Sequence, residues 1–198
     1  MTRIRLTEFL ILNQVQHMSK KSIELNSSNI INIRKNLDAE INKSWRIIRN
    51  ENIMSNKDIK AGLGSGKDMK ALYNHITQLM QKRIMIKGML QCLNMGITKF
   101  NYEDFKKSNN FNIFAACEAK EAITQLKMIP TINPTEKAKK GKKGIGKTEG
   151  MTSAFIASKI HNHQLEADKH DAAMEKFNKE TSIDISGISE EFENYLAA

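Results

Sequence analysis

Apolar residues recur at spacings of three and four along nearly every long segment of this chain, which is the period of a helix with one buried face and not the alternation of a strand. Residues 4–25 place Ile11, Val15, Met18, Ser22 and Leu25 on one stripe, widened at its start by Leu6, Phe9 and Leu10. Ser27, Ser28 and Asn29 then offer N-cap oxygens, and Ile30, Ile33, Leu37, Ile41, Trp45 and Ile48 form a second stripe over residues 30–50. The turn between the two is very short, so an antiparallel helical hairpin is expected. Gly62, Gly64 and Gly66 break the pattern until Asp68 caps a third helix. That helix carries Leu72, Ile76, Leu79, Arg83, Ile86, Leu90 and Leu93, a coiled-coil-like seam in which Arg83 is the odd member. A rim position explains Arg83, with an ion pair across the seam as the alternative. Gly96 is a natural stop. Phe100, Tyr102 and Phe105 follow and read as core plugs, base stacking beside Lys99, Lys106 and Lys107 being the second reading. Residues 110–128 make a fourth helix, with Ala116, Ala119, Ile123 and Leu126 on a side suited to close helix approach.

The pattern then lapses. Residues 129–150 hold both prolines and a run of lysines and glycines, and residues 151–180 resume the helical period. There Ile156, Ile160, His163, Ala167, His170, Met174 and Phe177 fall on one seam. The expected fold is all-α: a helical hairpin or bundle over residues 1–128, a basic linker over 129–150, a separate long helix over 151–181 and an acidic tail over 182–198. Few aromatics and few valines argue against a sheet.

Charge sharpens this division. Residues 1–150 carry 27 Lys/Arg against 13 Asp/Glu, a net +14, whereas residues 151–198 carry 4 against 9, a net −5. The two parts are expected to attract each other or to attract different partners, and a basic body points to phosphates. A chain of 198 residues can bury a core without staples, and its two cysteines, Cys92 and Cys117, fit neither a closed zinc site nor a disulfide scaffold. Free thiols suit a reducing compartment, so the expected location is the cytoplasm, of a host cell or else in a virion if the chain is phage-encoded. No signal-peptide pattern and no apolar run of membrane-spanning length is present, so no membrane partner is expected.

Residues 141–148, GKKGIGKT, match the phosphate-loop pattern letter for letter. That chemistry needs a buried strand before the loop, a helix after it and a second strand ending in a metal-binding Asp. Pro130, Pro134 and the charges before Gly141 argue against the strand, and no apolar run ends in such an Asp, so the segment reads as a solvated Lys/Gly linker. Its lysines, Lys137, Lys139, Lys140, Lys142, Lys143 and Lys147, are the candidate nucleic-acid-binding residues. Ile156, Ile160, His163, His170, Met174 and Phe177 are the candidate protein-interface residues. His163 and His170, one heptad apart and near Glu166, Asp168 and Asp171, read as ordinary seam histidines, as a pH-sensitive interface, or as metal ligands. About 10.5 Å along the helix separates them, too far for one ion without ligands from a partner strand. No metal and no cofactor is expected.

The order of helices, residues 6–12 (LTEFLIL), the short turn at 26–29, and Gln81, Lys82, Arg83 and Lys87 resemble septicolysin-like helical proteins of bacteria and phages over about residues 3–95. The resemblance implies an all-helical hairpin fold and carries over no site residue. The chain's last residues, Glu193, Asn194, Tyr195, Leu196, Ala197 and Ala198, resemble the transfer-messenger-RNA degradation tag, which implies recognition by the ClpX unfoldase family if the tail is free.

No paired carboxylates, no nucleophile with its base and no ligand cluster at catalytic spacing can be recognised, so catalysis is not expected. The expected function is binding of a polyanion, nucleic acid or a nucleoprotein first. The alternative is a structural or assembly protein, of a phage particle or host-takeover complex, that binds protein or itself through its heptad seams.

Overall fold

The computed structural model describes residues 24–132, 147–187 and 189–197. In chain order they form α1 (Ser27–Glu51), β1 (Ile53–Ser55), α2 (Asn56–Lys60), α3 (Met69–Asn94), α4 (Tyr102–Phe105), α5 (Asn109–Lys127), β2 (Lys147–Glu149), α6 (Ser153–Glu180) and α7 (Glu190–Ala197). The fold is all-α, and the helix expected over residues 4–25, with its hairpin, lies outside the described residues. Among the described residues the strands are two three-residue pieces, paired antiparallel with Ile53 opposite Glu149, Met54 opposite Thr148 and Ser55 opposite Lys147.

Helices begin where a side chain can take an orphan N–H of the first turn. Asp68 Oδ1 accepts from the Lys70 N–H at 2.9 Å, Ser108 Oγ from Phe111 at 3.2 Å and Thr152 Oγ1 from Phe155 at 3.2 Å. The cap of α1 is Asn26, one residue before the expected candidates, with Oδ1 accepting from the Asn29 N–H at 2.8 Å. Gly96 ends α3 at φ +74°, where a side chain would be strained.

The long helices run alternately up and down, and α6 lies along α5. One core joins Ile41, Trp45 and Ile48 of α1, Leu72, Tyr73, Ile76, Leu79 and Met80 of α3, Ala122 and Leu126 of α5, and Met151 and Ile156 at the start of α6. Each large apolar side chain so buried contributes about 1.5–3 kcal/mol. One cluster thus draws on residues from both sides of the expected linker. Met151 is fully buried in the cluster that holds Trp45, and Ile156 of α6 packs in the same cluster. Buried Ala116, Ala119 and Ala122 keep the α5 surface shallow enough for that approach.

A second cluster at the other end of the bundle gathers Phe105, Ile84 and Ala115, with Phe100, Tyr102, Phe111 and Phe114 against them. Phe105 is buried edge-on to Phe111, with ring centroids 5.6 Å apart, so the aromatic run is core. Between the clusters sits Arg83, buried rather than on a rim. Its guanidinium pairs with Glu118, also buried, with Glu121 at 2.7 Å and with Asp38 at 3.1 Å, while Lys87 reaches the other Glu118 oxygen at 2.8 Å. Burial works against the Arg83 charge, yet these carboxylates more than offset it and its pKa is raised.

Candidate functional site

Asn52 follows the last residue of α1 and is fully buried. Its N–H continues the helix ladder to the Ile48 carbonyl at 2.9 Å, and its own carbonyl accepts from the Gly150 N–H at 3.0 Å. The side-chain amide offers two donors and an acceptor, and all are used across the fold. Nδ2 donates to the Pro130 carbonyl at 2.8 Å and to the Met151 carbonyl at 2.9 Å, and Oδ1 accepts from the Met151 N–H at 2.6 Å. Pro130 and Met151 stand on either side of the lysine-rich segment, so one residue pins both of its flanks. The Ile132 N–H adds a bond to Glu149 Oε1 at 3.0 Å. Gly150 suits this junction because a Cβ there would fall 2.5 Å from Cγ of Met69.

Lys57 and Lys60 on α2, Lys67 in the turn before α3 and Lys70 in its first turn are all exposed, and Lys67 shares a pocket with Asn52. The turn is tied down by Glu51, whose Oε2 accepts from the Ser65 N–H at 2.8 Å and from the Ser65 hydroxyl at 2.6 Å. An open pocket of about 300 Å³ lies between, lined by Glu51, Asn52, Met54, Lys67, Asp68 and Gly150. Of the six candidate lysines, Lys147 lies in β2, with its backbone opposite Ser55. Lys137, Lys139, Lys140, Lys142 and Lys143 lie outside the described residues.

The structure also bears on the phosphate-loop match. In such a loop the Lys-Thr pair opens a helix, so that helical N–H groups face the phosphates. Here Lys147 and Thr148 lie in a strand and the next helix begins only at Ser153.

The candidate interface residues of α6 divide along its length. Ile156 and His163 are buried, Ile160, His170 and Met174 are half-buried, and Phe177 is 43% exposed. The stripe from Ile156 to His170 faces the chain's own helices, and its last turns remain open. His163 Nε2 shares a hydrogen bond of 2.8 Å with the Tyr73 hydroxyl of α3, and its Nδ1 lies 3.4 Å from Glu166 Oε2. Burial lowers the His163 pKa, opposed by Glu166 and assisted by Lys159. His170 Nδ1 bonds Asn112 Oδ1 of α5 at 2.8 Å, and its ring meets Phe111 edge-on at 5.7 Å. Burial, then Lys169, lowers its pKa as well. A cavity of about 260 Å³ separates the two histidines, lined also by Thr77, Gln81, Glu118 and Glu166. Among the described residues no group of three or more His, Cys, Asp or Glu is placed to hold a metal ion.

Beyond α6, residues 181–187 are exposed throughout, and on α7 Phe192, Tyr195 and Leu196 are 49%, 75% and 51% exposed. Among the described residues no helix is long and apolar enough to cross a membrane. Lys120 of α5 and Asp171 of α6 pair at 2.8 Å, one direct contact between the basic and acidic parts of the chain. Sequence reasoning passed over Asn52, Tyr73 and Glu118. Glu118, set among buried alanines on α5, is the one of the three whose position on an apolar face was visible beforehand. Comparison with protein-family models, with curated proteins and with solved structures finds no match for this chain.

Proposed function

We propose that the protein binds a polyanion, nucleic acid or a nucleoprotein first among them, and catalyses no reaction. The observation that carries this reading is the Asn52 junction. By holding Pro130 and Met151 on one side chain, it brings the two flanks of the lysine-rich segment together, and the sequence between them is where the lysines lie. Lysines supply compact point charges that suit phosphate oxygens, not the rigid forks that read base edges, so binding is electrostatic and indifferent to sequence. Such a protein would work in the cytoplasm or with a packaged genome. The test is fluorescence anisotropy with labelled oligonucleotides of unrelated sequence at low salt. Similar affinities, weakened alike by Lys57→Gln/Lys60→Gln/Lys67→Gln, support the reading, and absence of binding by the wild type overturns it.

A second reading, assembly through helix contacts as in a phage particle or host-takeover complex, is favoured by the open last turns of α6 and the exposed face of α7. A stable oligomer that retains no oligonucleotide would select it.

A further inference from the structure

A groove of about 610 Å³ runs between the first turns of α1, the last turns of α3 and the first half of α5, at the end of the bundle opposite Asn52. Its walls include Ile31 and Ile113, 42% and 37% exposed, with Leu90 and Phe114. Arg34 and Lys87 make it basic: Arg34 is half exposed and only loosely held by Asp38 at 3.7 Å, while Lys87 pairs with Glu118.

The chain also carries α7, a helix that cannot account for itself. Eight residues are too few for a helix to be stable in water without tertiary contacts. Its apolar side chains, Phe192, Tyr195 and Leu196, stand at i, i+3 and i+4, a single face, and the first two stack with ring centroids 6.1 Å apart. The segment is acidic in sequence, with Glu190, Glu191 and Glu193.

We propose that α7 docks in this groove as an intramolecular latch, its apolar face on Ile31, Leu90, Ile113 and Phe114, the acidic sequence of the segment complementing Arg34 and Lys87. The tether permits it. His170 is level with Asn112 of α5, so α6 runs about 15 Å further to Glu180. Residues 181–189 can span about 30 Å, enough to return to the level of Ile113 and cross the bundle. A short tether also gives an effective concentration on the order of millimolar, at which an intrinsic Kd of about 0.1 mM closes the groove roughly nine times in ten. The latch stands apart from the polyanion site, which occupies the other end of the bundle.

Cys117 lines the groove and is an exposed free thiol, so it reports on the cover directly. In a Cys92→Ser background it is the sole thiol. Maleimide labelling of Cys117 is compared between the full chain and a chain ending at residue 187, both shown to be helical by circular dichroism. The latch predicts labelling several-fold faster in the shortened chain, a rise toward that rate in the full-length Phe192→Ala/Leu196→Ala variant and in molar salt, and no dependence on protein concentration over a hundredfold range. Equal rates in the two chains overturn it. So does protection that appears only at high concentration, which would place the α7 of a second copy in the groove, or protection lost on removing residues 1–23 and kept on removing α7.

Discussion

Asn52 and Met151, 99 positions apart, hold each other by reciprocal amide hydrogen bonds, Nδ2 to the Met151 carbonyl at 2.9 Å and the Met151 N–H to Oδ1 at 2.6 Å. Because the site is fully buried, water cannot replace what a substitution removes. Asn52→Ala should cost about 2–4 kcal/mol in urea unfolding, the penalty of leaving several buried amide groups unpaired. Asn52→Asp should cost at least as much at neutral pH, because it turns a carboxylate toward two carbonyl oxygens, and part of that loss should return as acid protonates it.

The Arg83–Glu118 pair makes a different forecast. Removing Arg83 leaves buried Glu118 with Lys87 alone, so Arg83→Met should destabilise the fold by about 3 kcal/mol, the low end for a broken buried pair. Arg83→Met/Glu118→Leu should recover much of that loss, since well-packed apolar residues often replace a buried pair at little cost. Chemical denaturation of the two single variants and the double variant gives the coupling directly.

Stability should fall in mild acid. An unfolded histidine has a pKa of about 6.5, and His163 and His170 lie below their ordinary value in the folded chain because burial disfavours the imidazolium. Above that pH both states are neutral and the histidines add no pH dependence. As pH drops below about 6.5 the unfolded state takes up protons that the folded state resists, so stability is lost until the folded pKa values are reached. Thermal melts at pH 7.5 and 5.5 should show the decline, and His163→Gln should remove part of it. An unchanged slope in that variant would mean that other groups titrate. Tyr73→Phe should destabilise at neutral pH by about 1–2 kcal/mol, because the hydroxyl is the partner of His163 Nε2.

The helical skeleton was legible because burial repeats along a helix: Leu72, Ile76, Leu79 and Ile86 were expected on one seam and all are buried. The cap at Asp68 and the stop at Gly96 were legible for the same local reason. Asn52 was not, since its partners lie 78 and 99 positions away and an asparagine after a helix ordinarily signals a turn. The α6 stripe was read correctly as apolar, but period alone does not say whose helix covers it; Tyr73 and Ala122 do, from the same chain. Arg83 was visible as an exception, while Glu118, the residue that settles its role, stands on another helix. The β1–β2 pairing joins two segments of three residues each, too short for alternation to register.

Lys147 supplies a further forecast. Held in a strand, with the next helix starting at Ser153, the Lys-Thr pair lacks the helix N-terminus that a nucleotide's phosphates require. Mg-ATP and Mg-GTP turnover should be indistinguishable from background in the wild type and in Lys147→Ala. Turnover lost on that substitution would restore the phosphate-loop reading.

The central claim is that the lysine-rich segment binds phosphates, and salt dependence tests it most directly. Each lysine that neutralises a duplex phosphate contributes about −0.9 to the slope of log K against log salt. Full engagement of Lys137, Lys139, Lys140, Lys142, Lys143 and Lys147 would therefore give a slope of about −5. Replacing Lys139, Lys140, Lys142 and Lys143 with Gln should flatten the measured slope by about 3 to 4 and weaken unrelated sequences alike. A variant that keeps the wild-type affinity and slope would contradict the account, as would a wild type that fails to bind duplex at low salt.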